Sequence, residues 1–297
     1  GSSGAADTTL RNPSPNFFRF NTDGTQWMAG LGNHVFRTMG IREVAIVAGD
    51  YAFPYAQVFG FNIEYCRAGG RVTHYWAPLG TTDFGSQIAQ INRSTVGALV
   101  VVHGGTDGLA FMTQYAQAGG NKPLIAGSIM ADQSMLSARG PHRRVMTGMI
   151  SSGPIADVID DQSWRDYVER YRRRWLNEGG FQSPSIHGVN YATNLTGILT
   201  ALAAVDGDLS GNQAAFQRAL AAATFKAPTG ADVKLDHNRQ AISDIFINRI
   251  EERDGRAQVV AFARANGINQ TLNTPEVAFL ALGSPSRDNP GCVPAAS

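Results

Sequence analysis

The feature that most restricts this chain is the regular alternation of short apolar runs with stretches of helical period. Apolar runs at residues 43–48, 72–76, 98–102, 123–127 and 145–150 are each strand-sized. Between them, helical spacing over 26–39, from Pro54 to Gly70, from Thr81 through Ile91, after the 103–108 turn and over 132–138 predicts crossover helices. Largely apolar strands separated by helices read as βα units on a mostly parallel sheet covered on both faces. The punctuation agrees, with Pro54 in a first helical turn and Gly69-Gly70 just past a helix end.

Beyond residue 160 the pattern changes to long helices at 164–178, 188–205 and 212–222, with strands returning at 233–236 and 244–250. Past Thr274 the chain is rich in Pro, Gly and Ser and reads as irregular chain or a loose end. At 297 residues and 43% hydrophobic, the sequence supports one large α/β domain or two ordinary ones, and excludes disorder as its main state.

Several function classes lose support at this level. The 25 basic and 24 acidic residues leave a net charge of +1, so no long-range field draws nucleic acid or anionic membrane. The longest apolar run, 98–102, falls far short of the roughly 20 residues of a membrane span. Arg170-Tyr171-Arg172-Arg173-Arg174-Trp175 shares its helix with Asp166, Glu169 and Glu178, which makes it a solvated face rather than an RNA groove. No Gly-x-Ser-x-Gly elbow, phosphate-cradling loop or dinucleotide fingerprint is present, so no nucleotide cofactor is indicated. The histidines are scattered without zinc spacing, and no metal site is expected. Cys66 and Cys292 leave a disulfide and a pair of free buried thiols equally open.

Several segments taken together resemble a known family. They are Ser2-Ser3-Gly4-Ala5-Ala6-Asp7, Ser14-Pro15-Asn16-Phe17-Phe18-Arg19, and Asp50-Tyr51-Ala52-Phe53 after a strand. Pro78-Leu79-Gly80-Thr81-Thr82-Asp83-Phe84, Gly104-Gly105-Thr106-Asp107 and Leu235-Asp236-His237-Asn238-Arg239-Gln240 follow in order. The chain resembles type I periplasmic solute-binding proteins of the branched-chain amino-acid ABC transporter family. That resemblance implies a two-lobed α/β fold, each lobe a mostly parallel sheet flanked by helices, closing by hinge motion on a small ligand. It assigns residues 1–20 and 154–240 to the first lobe and 21–153 and 241–297 to the second. In the family the first lobe begins well before the Ser-Gly-Ala loop, so the resemblance implies an incomplete first lobe. Gly1–Gly4 has a rival reading as a cloning remnant; Ala5-Ala6-Asp7 continues the family loop in register and favours the native one.

The same resemblance supplies a candidate site. Ser2, Ser3, Gly4 and Ala5 would present backbone N–H groups and hydroxyls to a carboxylate, because small residues permit close approach. Tyr51 or Phe53 would close on the ligand from across the hinge, with Phe53 preferred and core packing as the competing account; Pro54 stands where the family has glycine, which leaves the ring's direction open. Gly105, Thr106 and Asp107 would add polar contacts, with Asp107 alternatively capping the helix that follows. Ser128 and Met130 lie in the 127–131 segment, where amino-acid binders of the family carry a carboxylate for the ligand's ammonium. Ile129 and Met130 stand there instead, which favours an aromatic or keto acid over an α-amino acid, unless Asp107 or Asp132 takes the ammonium. Met130 would pack on an aromatic ring or simply fill core.

The resemblance also makes a Cys66–Cys292 disulfide the favoured state, fitting an oxidising periplasm. It implies a monomer working with an ABC permease in the membrane and not an enzyme. A ligand-sensing receptor of a signalling system is the nearest alternative. The remoter one is an α/β enzyme using His103, Asp107 and a serine, which requires those groups within hydrogen-bond reach.

Overall fold

A computed structural model describes residues 4–253 and 255–292. Strands β1 (Glu43–Gly49), β2 (Arg71–Ala77), β3 (Ala98–Val102), β4 (Leu124–Ala126) and β5 (Ile150–Gly153) pair in the parallel order β2-β1-β3-β4-β5. Further along come β6 (Phe225–Lys226), β7 (Asp232–Leu235) and the long hairpin β8 (Ala241–Arg253) and β9 (Arg256–Ile268). β8 joins β5 antiparallel, with Ile150 opposite Arg249 and Gly153 opposite Phe246. β7 and β6 extend the order beyond β8.

All five residues of β3 are buried because helices cover both of its faces. Leu99 and Val101 point into one core with Phe111, Tyr115, Met130, Trp164 and Val259. Ala98, Val100 and Val102 point into the other, against Phe61, Tyr65, Val35 and Leu31. A smaller cluster gathers Phe20, Ala201, Leu220, Val233 and Ala241 away from both.

The expected helix over 26–39 is instead three short pieces, Gln26–Met28, Leu31–Asn33 and the wide-turn segment His34–Thr38. Gly30 breaks it at φ +80, and its N–H donates to the partly buried Glu64 carboxylate at 2.8 Å. Burial pushes the Glu64 carboxyl above its usual range. Two residues on, a Cβ at Gly32 would lie 2.5 Å from the Phe61 carbonyl, so backbone approach sets this geometry rather than helical period.

The expected strand at 145–150 also moves. His142–Met146 is a helical turn, and the strand starts at Ile150 and ends at Gly153. Ser151 and Ser152 hid it by their polarity, yet both are buried, and Ser152 Oγ donates to the Trp27 carbonyl at 2.7 Å. The long helices form at Gln162–Trp175, Ile186–Ala204 and Ala214–Ala222. Asp161 caps the first by accepting from Ser163 and Trp164 N–H, and Ser185 caps the second by accepting from Gly188 N–H. The tail is tied down. Glu276–Leu280 is helical, Phe279 packs edge-on to Phe59 with centroids 5.9 Å apart, and Cys66 and Cys292 form a disulfide with Cα atoms 5.3 Å apart.

One buried polar knot joins the start of the chain to the β7–β8 turn. Arg19 is fully buried; Nη1 donates to the Ala5 carbonyl at 2.8 Å and Nη2 to Thr9 Oγ1 at 2.7 Å, while Nε donates to Gln240 Oε1. Asp23 is its counter-charge at 3.5 Å. Gln240 Nε2 in turn donates to the Asn21 carbonyl at 3.0 Å and to Gln26 Oε1 at 2.8 Å. Such a charge is tolerable only because nearly every donor is matched. Among the described residues no helix is long and apolar enough to cross a membrane.

Candidate functional site

The parallel strands β1, β3, β4 and β5 end on a common edge, since Ala48 is level with Val102, Val101 with Ala126, and Ala126 with Ser151. Loops leaving that edge carry most of the residues expected from the sequence, as the topology of a parallel sheet requires. Ser2 and Ser3 lie outside the described residues.

Gly4 and Phe53 meet directly. Phe53 sits in the first turn of the Ala52–Arg67 helix, and a Cβ at Gly4 would fall 2.5 Å from its ring. The Gly4 carbonyl accepts from Gly24 N–H at 2.8 Å, and Trp27 stands edge-on to Phe53 with centroids 5.4 Å apart. Ala5 is held through its carbonyl by Arg19. The amino-terminal stretch is thereby docked on the helix that follows β1, and the half-buried Phe53 ring is packed between Gly4, Gly24 and Trp27.

Tyr51 is half-buried at the mouth of the same helix, and burial together with the neighbouring Asp107 charge pushes its hydroxyl pKa up. Asp107 does not cap its own helix. Its Oδ2 accepts from Gly80 N–H at 2.8 Å and its Oδ1 from Thr106 Oγ1 at 3.3 Å, so it fastens the loop after β2 to the turn after β3. Gly105 has φ +57, and a Cβ there would meet nothing within 4 Å; together with Thr106 it is exposed.

Ser128 is buried, and its Oγ accepts from Gln57 Nε2 at 2.9 Å. Met130 is wholly buried and turns into the core, its sulfur 2.8 Å from where a Cβ on Gly108 would stand. Core filling is therefore the geometry of Met130, and Ile129 is the side chain that this segment sets against Gly104. Asp132 is committed as well: Oδ1 accepts from Ser134 N–H at 3.0 Å and Oδ2 from Ile186 N–H at 2.7 Å.

Three contributors were not anticipated from sequence: Trp27, Gln57 and Ser152. Gln57 is fully buried on a helix of mostly apolar residues, and a polar side chain at such a position is the signal that could have flagged it. Ser128, Ser152, Gly153, Asp132, Asp157 and Asn248 line a cavity of about 10 Å³, room for about one water.

His103 does not join an acid–base set. Burial pushes its imidazole down to about 4; the ring stacks on Phe111 at 6.2 Å and meets Phe84 edge-on at 5.5 Å. Among the described residues no hydrogen bond joins it to Asp107 or to a serine.

No curated protein sequence matches the chain significantly. Among solved structures, an ABC transporter substrate-binding protein from Sphaerobacter thermophilus is 26% identical with a TM-score of 0.81; the match covers 90% of this chain and 72% of that one. A solute-binding protein of an ABC transporter from R. palustris in complex with benzoate shares the fold at TM-score 0.76 and 21% identity, covering 87% of this chain and 68% of that one. A leucine-binding protein from Thermotoga maritima does so at TM-score 0.70 and 16% identity, covering 86% and 71%. The family model described as periplasmic binding protein matches residues 2–271, in keeping with the strand-end loops and the parallel sheet beneath them, and the chain belongs to that family.

Proposed function

We propose that this protein is the extracytoplasmic receptor of an ABC importer and captures a small aromatic or keto monocarboxylate between two lobes. The observation that carries the ligand class is how Asp107 and Asp132, the carboxylates of the segments after β3 and β4, are already held by protein donors. Asp107 already accepts from Gly80 N–H and Thr106, and Asp132 from Ser134 and Ile186 N–H. The two are only 8% and 5% exposed, so an α-amino acid would have to bring its ammonium to a carboxylate turned inward to protein donors or leave it unpaired, at a cost of several kcal/mol. A carboxylate without an ammonium needs only N–H donors, which the Gly4–Ala5 stretch and the Gly105–Thr106 turn can offer at small-residue loops. Tyr51, Ile129 and the Phe53–Trp27 pair give the apolar wall.

The lobe division we favour keeps 1–20 with the 186–240 region and its small core in one lobe, and β1–β5 with β8 and β9 in the other. The Gln162–Trp175 helix goes with the second group, since Trp164 and Val168 pack in its core. Periplasmic residence is supported by the family and by the Cys66–Cys292 disulfide. Three relatives of R. palustris type hold benzoate, 3,4-dihydroxybenzoic acid or p-hydroxybenzoic acid, which makes benzoates the first probes. Calorimetry of the protein with benzoate, 4-hydroxybenzoate, leucine and valine is expected to give saturable heat with the benzoates alone. Phe53→Ala should weaken it tenfold or more. Binding of leucine or valine with no heat from either benzoate would overturn the reading.

A further inference from the structure

Next to the small cavity at Ser128 and Ser152, with which it shares Gln133 and Asp157, a cleft of about 400 Å³ opens on the flank of the β8–β9 hairpin. Arg139, Arg143, Arg172 and Arg256 all line it. They come from three separate parts of the chain: the 137–143 turn, the Gln162–Trp175 helix and the start of β9. Among the described residues none of the four has an ion-pair partner, whereas the neighbouring Arg165, Arg173, Arg174 and Arg253 are each paired with an acid. Gln182 holds two of them in place. Arg172 Nε donates to its carbonyl at 2.6 Å, and Arg256 Nη1 to its Oε1 at 2.8 Å. The floor carries Ser183, 2% exposed, and Asp157, the one acid in the lining. The Asp157 carboxylate is occupied from within, Oδ2 accepting from Gln133 Nε2 at 2.7 Å and Val259 N–H at 2.8 Å.

A chain with a net charge of +1 has no need to gather four unpaired guanidinium groups round one concavity, and mutual repulsion disfavours it. Guanidinium forks bind oxyanions bidentately, and several forks converging on one volume select ions of more than one charge. We propose that this cleft is a second binding site, for a small multivalent oxyanion such as a diphosphate or polycarboxylate, separate from the site for the transported solute. A monovalent acid would engage one fork and leave the others as they are.

The probe is inorganic pyrophosphate, titrated into the protein by calorimetry at ionic strength fixed with sodium chloride, since exposed charges are screened. One saturable site is expected, weakened at least tenfold in the Arg139→Glu/Arg143→Glu double variant and unchanged in Arg218→Glu, an exposed arginine elsewhere. Acetate should give no saturable heat, and benzoate titrations should be the same in all three proteins. Should the charge-reversed variant lose its native circular dichroism, Arg139→Gln/Arg143→Gln supplies the same readout. Pyrophosphate heat that never saturates, that acetate reproduces, or that survives in the double variant would overturn the proposal.

Discussion

Two helices of this molecule are built from similar material and meet different fates. Ala52–Arg67 buries 11 of its 16 residues, including Phe59, Phe61 and Tyr65, while Ile186–Ala204 buries 7 of 19 and leaves Tyr191, Leu195 and Leu199 more than half exposed. Composition does not separate them. The first is enclosed by the sheet on one side, the 26–38 segment on another and the disulfide-bound tail on a third. The second meets Phe20 along its glycine, where a Cβ at Gly197 would clash with the ring at 2.6 Å, and turns its other apolar flank to water. What buries a helix is the number of layers round it, and a helix apolar on all sides reports only that it is suited to such a place.

This contrast can be broken in several ways. The largest effect is expected from Phe61→Ala, which opens a cavity in the enclosed region and should lower unfolding free energy in urea by about 3–5 kcal/mol. Next comes the bond that closes this enclosure. Replacing Cys66 and Cys292 by serine frees a loop of 226 residues and should cost about 2–4 kcal/mol, read as a lower urea midpoint that added reductant does not change further. If the double serine variant matched the parent, the tail would be a passenger rather than a wall.

The third effect is on pH. Burial holds both His74 and His103 down at about 4 in the folded chain, against ordinary values near 6.5. The folded state therefore binds fewer protons than the unfolded chain in that window, so stability is full above about 6.5 and is lost as pH falls toward 4. Asp157, raised by burial to about 6, acts in the opposite sense below that value. Urea midpoints should decline from pH 7.5 to pH 5, with a shallower decline in His103→Gln. The smallest effect belongs to the exposed helix: Leu195→Ser with Leu199→Ser should change stability by no more than about 0.5 kcal/mol per site. A loss as large as that of Phe61→Ala would show that this flank is covered in solution.

Much of the parallel sheet was legible. β1, β3 and β4 announce themselves as apolar runs, because a strand buried on both faces must be nearly apolar throughout, while the edge strand β2 shows itself by its β-branched and aromatic residues. β5 was misplaced since its middle residues are serines, and a buried serine betrays itself only through its partner, here the Trp27 carbonyl. β9 escaped altogether. Its alternation is blurred by Arg256, Gln258, Arg264 and Asn266, and its length is set by pairing with β8 across ten registered positions. The site divides in the same way. The turn after β3 and the 127–131 segment could be placed from sequence, whereas the direction of Met130 could not, since one residue of rotation separates the core from the cleft.

The sequence alone determined the βα alternation, the absence of a strong field and the small-residue loops at strand ends, because these depend on local period and composition. Only the tertiary structure decided that Asp107 and Asp132 are already taken by backbone N–H groups 27 and 54 residues away in the chain. It also decided that Arg19 is buried beside Gln240, and that four arginines from distant segments face one cleft. Local sequence fixes what a side chain can offer; which partner accepts the offer is set by the packing of elements far apart in the chain.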